Sequence, residues 1–275
     1  MIYMYADLHL HSTVSDGTDS PAKLCWLAQE NGVKVISLTD HDSVEAYKIL
    51  ETKRLPDDVK LLPGIEISVE IGHKMVHILG YYINIYNNRL EELLAKMSAE
   101  KTESTRLNFE RAVSDGIFEY KWERVLEFNK KRPRISGVHV VKAMRYDGYK
   151  IPGMGMWEMF KKCFFPVDKE YLSVFTVGAY EAIDIIKAAG GVPSLAHPGL
   201  LECDGIVYDL IEHGLCGLEV YHPTHTEEQV LKYTRLAEEK NLYVTGGTDW
   251  HGGNNYREMH FGMYGLEHDG YKILN

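Results

Sequence analysis

Asp7-Leu8-His9-Leu10-His11-Ser12, close to the start of the chain, decides how the rest is read. Ile2 to Leu10 alternates loosely between apolar and polar residues, and turn chemistry follows at Ser15-Asp16-Gly17-Thr18. The pattern predicts a strand, on which residues two apart share a face. His9 and His11 then aim two imidazoles at one point, the bivalent grip that a metal cation needs. The plainer alternative is two histidines that merely share a strand face, and the segments downstream decide between them.

Ser20-Pro21 supplies an N-cap and a proline at the first helical position. The predicted helix buries Leu24, Leu27 and Ala28 and ends at Asn31-Gly32. Val33 to Leu38 is a nearly continuous apolar run, as expected of a strand buried on both faces, and it ends in Thr39-Asp40-His41-Asp42. Strand, helix and strand in succession make a βα unit with a parallel sheet. In such folds the polar residues at the carboxyl ends of strands build the site.

The layout recurs. Leu61-Leu62-Pro63-Gly64-Ile65-Glu66 places a glutamate at a strand, and Met75 to Tyr82 carries His77. Val192 to Ala196 ends at His197-Pro198, and Leu218 to Tyr221 ends at His222-Pro223. Leu242 to Thr245 runs into Gly246-Gly247-Thr248-Asp249-Trp250-His251. Helices fill the gaps, for example Ala179 to Ala189, and Thr224 with Glu227 reads as a capping box opening a helix to about Lys240. The middle third differs: Arg89 to Phe109 has apolar residues at helical spacing, helical pieces follow at Trp122 to Asn129 and Val138 to Tyr146, and strand periodicity returns near Tyr171 to Thr176. The expected organisation is a barrel-like α/β domain over 1–86 and 176–275, interrupted by a helical domain over 87–175.

The polar residues at the strand ends are His9, His11, Asp16, His41, Glu66, His77, His197, Asp249 and His251. All are nitrogen or oxygen donors, a set that suits Zn, Mn or Fe, and its size implies more than one ion. Asp249 and His251 repeat the spacing of His9 and His11. Glu66 is the natural bridge, because a carboxylate binds two cations at once and a neutral imidazole cannot. Singly, each residue has a blander reading: His77 a core histidine, His41 a loop residue, Asp16 a turn residue, Glu66 an edge charge. Recurrence in separate segments weakens those readings together.

A formal charge of −10 argues against a long nucleic-acid duplex as ligand, since phosphate backbones recruit basic surfaces. Divalent cations in one cleft would nevertheless make it attractive to phosphates. Cys25, Cys163, Cys203 and Cys216 show no C-x-x-C pairing and fit a reducing compartment. No signal peptide or membrane-spanning run is visible, so a cytoplasmic location is expected.

H-L-H at 9–11, T-D-H-D at 39–42, P-G-I-E at 63–66, V-H-I-L-G at 76–80, A-H-P-G at 196–199 and T-D-W-H-G at 248–252 resemble, in order, the motifs of the PHP (polymerase and histidinol phosphatase) family. Within it the chain is most similar to the TrpH/YciV-like branch, which carries a helical insertion in the same place and includes 3′,5′-nucleotide bisphosphate phosphatases. The resemblance implies a distorted (β/α)7 barrel with an inserted small helical domain and two to three divalent ions, Mn, Fe or Zn. It assigns His9, His11, Glu66 and Asp249 to a first metal, Glu66, His77 and His197 to a second, and Asp16, His41 and His251 to a third. Asp7 and Asp40 are expected to orient imidazoles from behind. Pro133-Arg134-Ile135-Ser136 resembles the insertion segment that reaches the substrate, which makes Arg134 a phosphate clamp with Ser136 beside it; the alternative for Arg134 is a solvated charge. His225 lies in a loop at the site mouth in relatives and is expected to touch phosphate or protonate the leaving group. His222 carries a weaker expectation, and His73, His139, His213, His260 and His268 are read as structural or surface residues.

The expected activity is metal-dependent hydrolysis of a small phosphorylated metabolite, foremost a nucleotide 3′,5′-bisphosphate, with Glu66, Asp249 and His225 in the catalytic machinery. The alternatives are a phosphodiesterase acting on short RNA or a cyclic phosphate, and a non-enzymatic metal-bearing regulatory module. Neither long duplex nucleic acid nor a membrane is an expected partner.

Overall fold

β1 (Ala6–Leu10) is shorter than the alternating run that predicts it, and all five of its residues are buried. A computed structural model describes residues 4–71, 74–130, 132, 134–164, 166, 170–174, 176–201, 203–253 and 260–272; Pro133 and His73 lie outside them. After β1 come α1 (Pro21–Glu30), β2 (Val35–Leu38), α2 (Glu45–Leu50) and β3 (Lys60–Leu61). Ser20 caps α1, its hydroxyl accepting from Lys23 N–H at 3.3 Å. β1, β2 and β3 form a parallel sheet in that order, as two helical crossovers require.

A second sheet holds β4 (Gly64–Ile71), β5 (Lys74–Tyr81), β6 (Val192–Leu195), β7 (Gly217–Tyr221) and β8 (Tyr243–Gly246), in that order. β6, β7 and β8 are parallel, but β5 is antiparallel to both of its neighbours. This departs from the parallel sheet that βα units imply, for a simple reason. Only two residues separate β4 from β5, enough for a hairpin and far too few for a crossover. Isolated parallel bridges join the sheets at Leu10 to Trp250 and at His41 to Glu66. A Cβ at Gly247 would overlap the His9 backbone, so glycine there is what lets the end of β8 lie against β1. Ala6, Leu8, Leu62, Leu79, Tyr81 and Ala196 form the core beneath the strand ends.

The chain divides into two compact units, Met1–Glu92 with Val177–Asn275, and Leu93–Thr176. The boundary falls inside α3 (Asn88–Ser114), one unbroken 27-residue helix, and so lies a few residues later than the composition change at 87. The second unit packs α4 (Trp122–Phe128), α5 (Gly137–Tyr146) and α6 (Met156–Phe164) with α3 around Phe109, Val125, Met144 and Met159. No strand forms over 171–174 or at 176. There the backbone is satisfied by α3 side chains instead: Asn108 pairs with both N–H and C=O of Leu172, and Ser104 Oγ accepts from Val174 N–H at 3.0 Å.

In the first unit α7 (Ala179–Ala188), α8 (Asp204–Glu212) and α9 (Glu227–Lys240) precede β6, β7 and β8 respectively. The capping box of α9 is Thr226 with Gln229, two residues later than the Thr224–Glu227 pair, because Thr224 is engaged elsewhere. α10 (His268–Lys272) closes the described chain. Among the described residues all four cysteines are unpaired, and no helix is long and apolar enough to cross a membrane.

Candidate metal centre

His9 lies on β1 and His11 just past its end. Their Nε2 atoms approach to 3.1 Å, as the shared strand face predicts. His41 follows β2, Glu66 and His77 lie on the β4–β5 hairpin, His197 follows β6, and Asp249 and His251 follow β8. All nine expected ligands belong to the first unit. Three overlapping groups have donor atoms within 4.8 Å of one another: His11, Asp16, His41 and His251; His9, His11 and Glu66; His41, Glu66 and His77.

Glu66 sits at the middle, 1% exposed, and its two oxygens face different imidazoles. Oε2 lies 3.3 Å from His9 Nε2, 3.1 Å from His11 Nε2 and 2.9 Å from His41 Nδ1. Oε1 lies 2.9 Å from His77 Nδ1 and 3.2 Å from His197 Nε2. Among the described residues Oε2 accepts no hydrogen bond of acceptable geometry, although it is buried. An orphaned buried carboxylate oxygen ringed by imidazole nitrogens is costly without a cation and is what a metal needs. The residues therefore fit divalent ions, with Glu66 divided between two groups.

Acceptors behind the rings fix which nitrogen His9 and His251 offer. His9 donates Nδ1–H to Glu219 Oε1 at 2.8 Å, which leaves Nε2 facing the centre. His251 donates Nδ1–H to the Asp249 carbonyl at 2.8 Å and turns Nε2 to Asp16 Oδ1 at 3.2 Å. Glu219 also accepts the His197 backbone N–H at 2.8 Å, so one carboxylate steadies two ligands. Sequence reasoning passed over Glu219. The available signal was a lone carboxylate inside the short apolar strand β7, where it is fully buried.

Asp7 and Asp40 act differently from expectation. Asp40 accepts from Ser12 N–H and Oγ–H at 2.8 and 2.7 Å and from Ser15 Oγ–H at 2.6 Å. Only through Ser15, whose Oγ is 3.4 Å from His11 Nδ1, does it reach an imidazole. Asp7 grips Thr248 N–H and Oγ–H at 2.9 and 2.7 Å. Both carboxylates anchor ligand-bearing loops. Trp250 donates its indole N–H to Asp19 at 3.0 Å. His197 (φ 28°), Asp249 (φ 50°) and Asp42 (φ 50°) have left-handed backbones, so strain gathers at this centre.

His225, expected at the leaving group, has both ring nitrogens hydrogen-bonded. Gly199 N–H donates to its Nε2 at 3.1 Å, and its Nδ1–H donates to Val220 O at 2.8 Å. Its imidazole pins the turn after His197, and burial depresses its pKa. Arg134 is buried, 5% exposed, and is not a solvated charge. Its segment is tied to α3: Ile135 N–H donates to Thr102 Oγ1 and Ile135 O accepts from Thr105 Oγ1–H, both at 3.0 Å. Ser136 precedes α5 with its N–H and Oγ each 3.0 Å from His139 Nδ1, which makes His139 part of that cap.

Burial pushes the Glu66 carboxyl up, but the imidazoles of His41, His9 and His77 together outweigh it and hold it well below the usual carboxylate range. Burial likewise opposes charge on His11, yet Asp249 and Glu66 raise it to about 10, while burial lowers His41 to about 4. The metal-free centre thus holds a proton on His11 at pH 7, and a cation must displace it. Metal uptake at pH 7 is expected to release at least one proton, and affinity is expected to rise with pH until about 10. Calorimetry in buffers of different ionisation enthalpy measures this; uptake without proton release would contradict it.

The model of the PHP domain matches residues 7–146. A phosphoribosyl 1,2-cyclic phosphate 1,2-diphosphodiesterase from Eggerthella lenta is 30% identical over 90% of this chain and 95% of its own. A 3′,5′-nucleoside bisphosphate phosphatase from Chromobacterium violaceum is 26% identical over 89% and 86%. The crystal structure of a candidate metal-dependent phosphoesterase from Bifidobacterium adolescentis superposes with a TM-score of 0.81 at 27% identity, covering 98% of this chain and 95% of that one. With the family's model matching half of its length and such relatives spanning most of it, the chain belongs to the PHP domain family.

Proposed function

We propose that the chain is a metal-dependent phosphoesterase whose substrate is a pentose carrying two phosphate groups. The observation that carries the reading is Glu66, buried and divided between two sets of imidazoles. The two relatives suggest the substrate class, since a phosphoribosyl cyclic phosphate and a nucleoside 3′,5′-bisphosphate each join two phosphates to one sugar. A nucleotide bisphosphate remains the first candidate, and the cyclic diester is the second, favoured by the higher identity of the Eggerthella lenta protein. The absence of thiolates among the nine donors supports Mn, Fe or Zn, and the three overlapping groups support two to three ions. The two bridges between the sheets support their being parts of one distorted (β/α)7 barrel.

Ions so held lower the pKa of water and neutralise charge on a transferring phosphoryl group. The chain's own part is orientation. Glu66 and Asp249 hold carboxylate charge in the centre, Glu219 sets the His9 tautomer, and Asp40 fixes the loop bearing His11 and Asp16. With both His225 nitrogens engaged, the leaving alkoxide takes its proton from water. We assign the phosphate that is not cleaved to Arg134, whose segment is held rigid by Thr102 and Thr105. A regulatory module without catalysis becomes the weaker reading.

Metal analysis followed by phosphate release from bisphosphates, monophosphates, cyclic phosphates and short RNAs tests this. Arg134→Ala is expected to weaken substrates with a second phosphate about ten- to hundredfold, equivalent to about 1.5–3 kcal/mol of charge-assisted contact. An equal small loss on monophosphates would remove Arg134 from that role.

A further inference from the structure

The turn after β7 presents two histidines in opposite tautomers. His225 N–H donates to His222 O at 3.0 Å and closes the turn. His225 uses its Nε2 as an acceptor, as described above. His222 is reversed: Thr224 N–H lies 3.2 Å from its Nδ1 and Thr224 Oγ1 2.7 Å from it. A backbone N–H can only donate, so Nδ1 accepts and the neutral ring carries its proton on Nε2.

That Nε2–H is buried and points into the centre. His222 is 1% exposed, its ring lies 5.3 Å from that of His197, and among the described residues Nε2 makes no hydrogen bond of acceptable geometry. The acceptor it faces is Asp249 Oδ2 at 3.4 Å. The other oxygen, Oδ1, lies 3.1 Å from His11 Nε2 and 3.5 Å from His9 Nε2. An unmade buried N–H is costly, and a carboxylate with a free oxygen can rotate or chelate.

We infer that His222 is a positioning residue and not a metal ligand: its Nε2–H holds Asp249 Oδ2 and so commits Oδ1 to the metal group of His9 and His11. The inference rests on the metal-bearing reading above. His222 has no lone pair to offer the centre, because Thr224 holds the only one. Asp249, strained at its backbone, is steered through its outer oxygen.

The test uses the full chain, stripped of metal and titrated with Mn²⁺ or Zn²⁺ against a competing chelator. His222→Phe keeps the ring volume and removes the N–H; His222→Gln restores a donor. Expected for His222→Phe is a ten- to hundredfold loss of affinity for one ion, the others being kept, with kcat lowered and KM unchanged. His222→Gln is expected to recover part of both. Unchanged affinity for every ion in His222→Phe, or a rise in KM alone, overturns the inference, the latter by making His222 a substrate contact. Should His222→Phe fail to fold, histidine ¹⁵N spectra of the Zn²⁺-loaded wild type decide. His222 is expected to stay protonated on Nε2 and uncoordinated, and a Zn²⁺-coordinated His222 nitrogen overturns the proposal. A wild type that takes up no cation overturns the metal reading itself, a different outcome from a metal-loaded wild type matched by His222→Phe.

Discussion

Glu66→Gln is expected to lose bound metal and to lower turnover by on the order of a thousandfold. The amide keeps the side chain's size and one carbonyl oxygen but removes the charge that offsets two cations. Its NH₂ would also point a donor at nitrogens that must keep their lone pairs: His9, His11 and His41 on one side, His77 and His197 on the other. Among the described residues no neighbouring carboxylate replaces it. Asp249 and Asp16 each reach only one side of the cluster, and Glu219 is occupied behind His9. The measurement is metal per chain beside phosphate release. A Glu66→Gln chain with its full metal complement and wild-type rate would end the bridging role and the phosphoesterase mechanism built on it.

The second large effect is expected from His9→Ala combined with His11→Ala, which should abolish activity and remove metal from the His9–His11–Glu66 group. The two side chains differ in what else they hold. His9 satisfies Glu219 Oε1, so its loss strands a buried acceptor and costs about 1–3 kcal/mol of stability besides the metal. Behind His11 Nδ1 lie Ser15 Oγ at 3.4 Å and Asp16 Oδ1 at 3.7 Å, each with a second partner in Asp40 or His251, so the His11 change alone should cost metal with less stability than the His9 change. Circular dichroism and thermal unfolding of the metal-free chains separate the two effects. A folded double variant that keeps metal and near wild-type turnover would remove the assignment.

The convergence of the candidate ligands was legible because strand periodicity is exact in its consequence. Residues two apart on β1 must share a face, and apolar runs that stop at a histidine or acid must deliver it to a strand end. His9, His11, His197, Asp249 and His251 follow from that rule, whereas Glu66 and His77 lie inside β4 and β5 and meet the others through the hairpin. The predicted elements hold for the same local reasons: an N-cap and proline at α1, and buried apolar runs at β2 and β6.

What the tertiary structure alone decided is which partner each polar atom takes. Glu219 lies 210 residues from His9, and no local pattern links them. The tautomers of His222 and His225 depend on single N–H groups of Thr224 and Gly199, whose positions exist only once the turns have closed. Asp7 and Asp40 lie beside histidines in sequence, yet they bind hydroxyls and amides because burial favours the nearest donors available. Periodicity assigns a side chain to a face; the proton it holds, and so its chemistry, is set by atoms that folding brings from elsewhere in the chain.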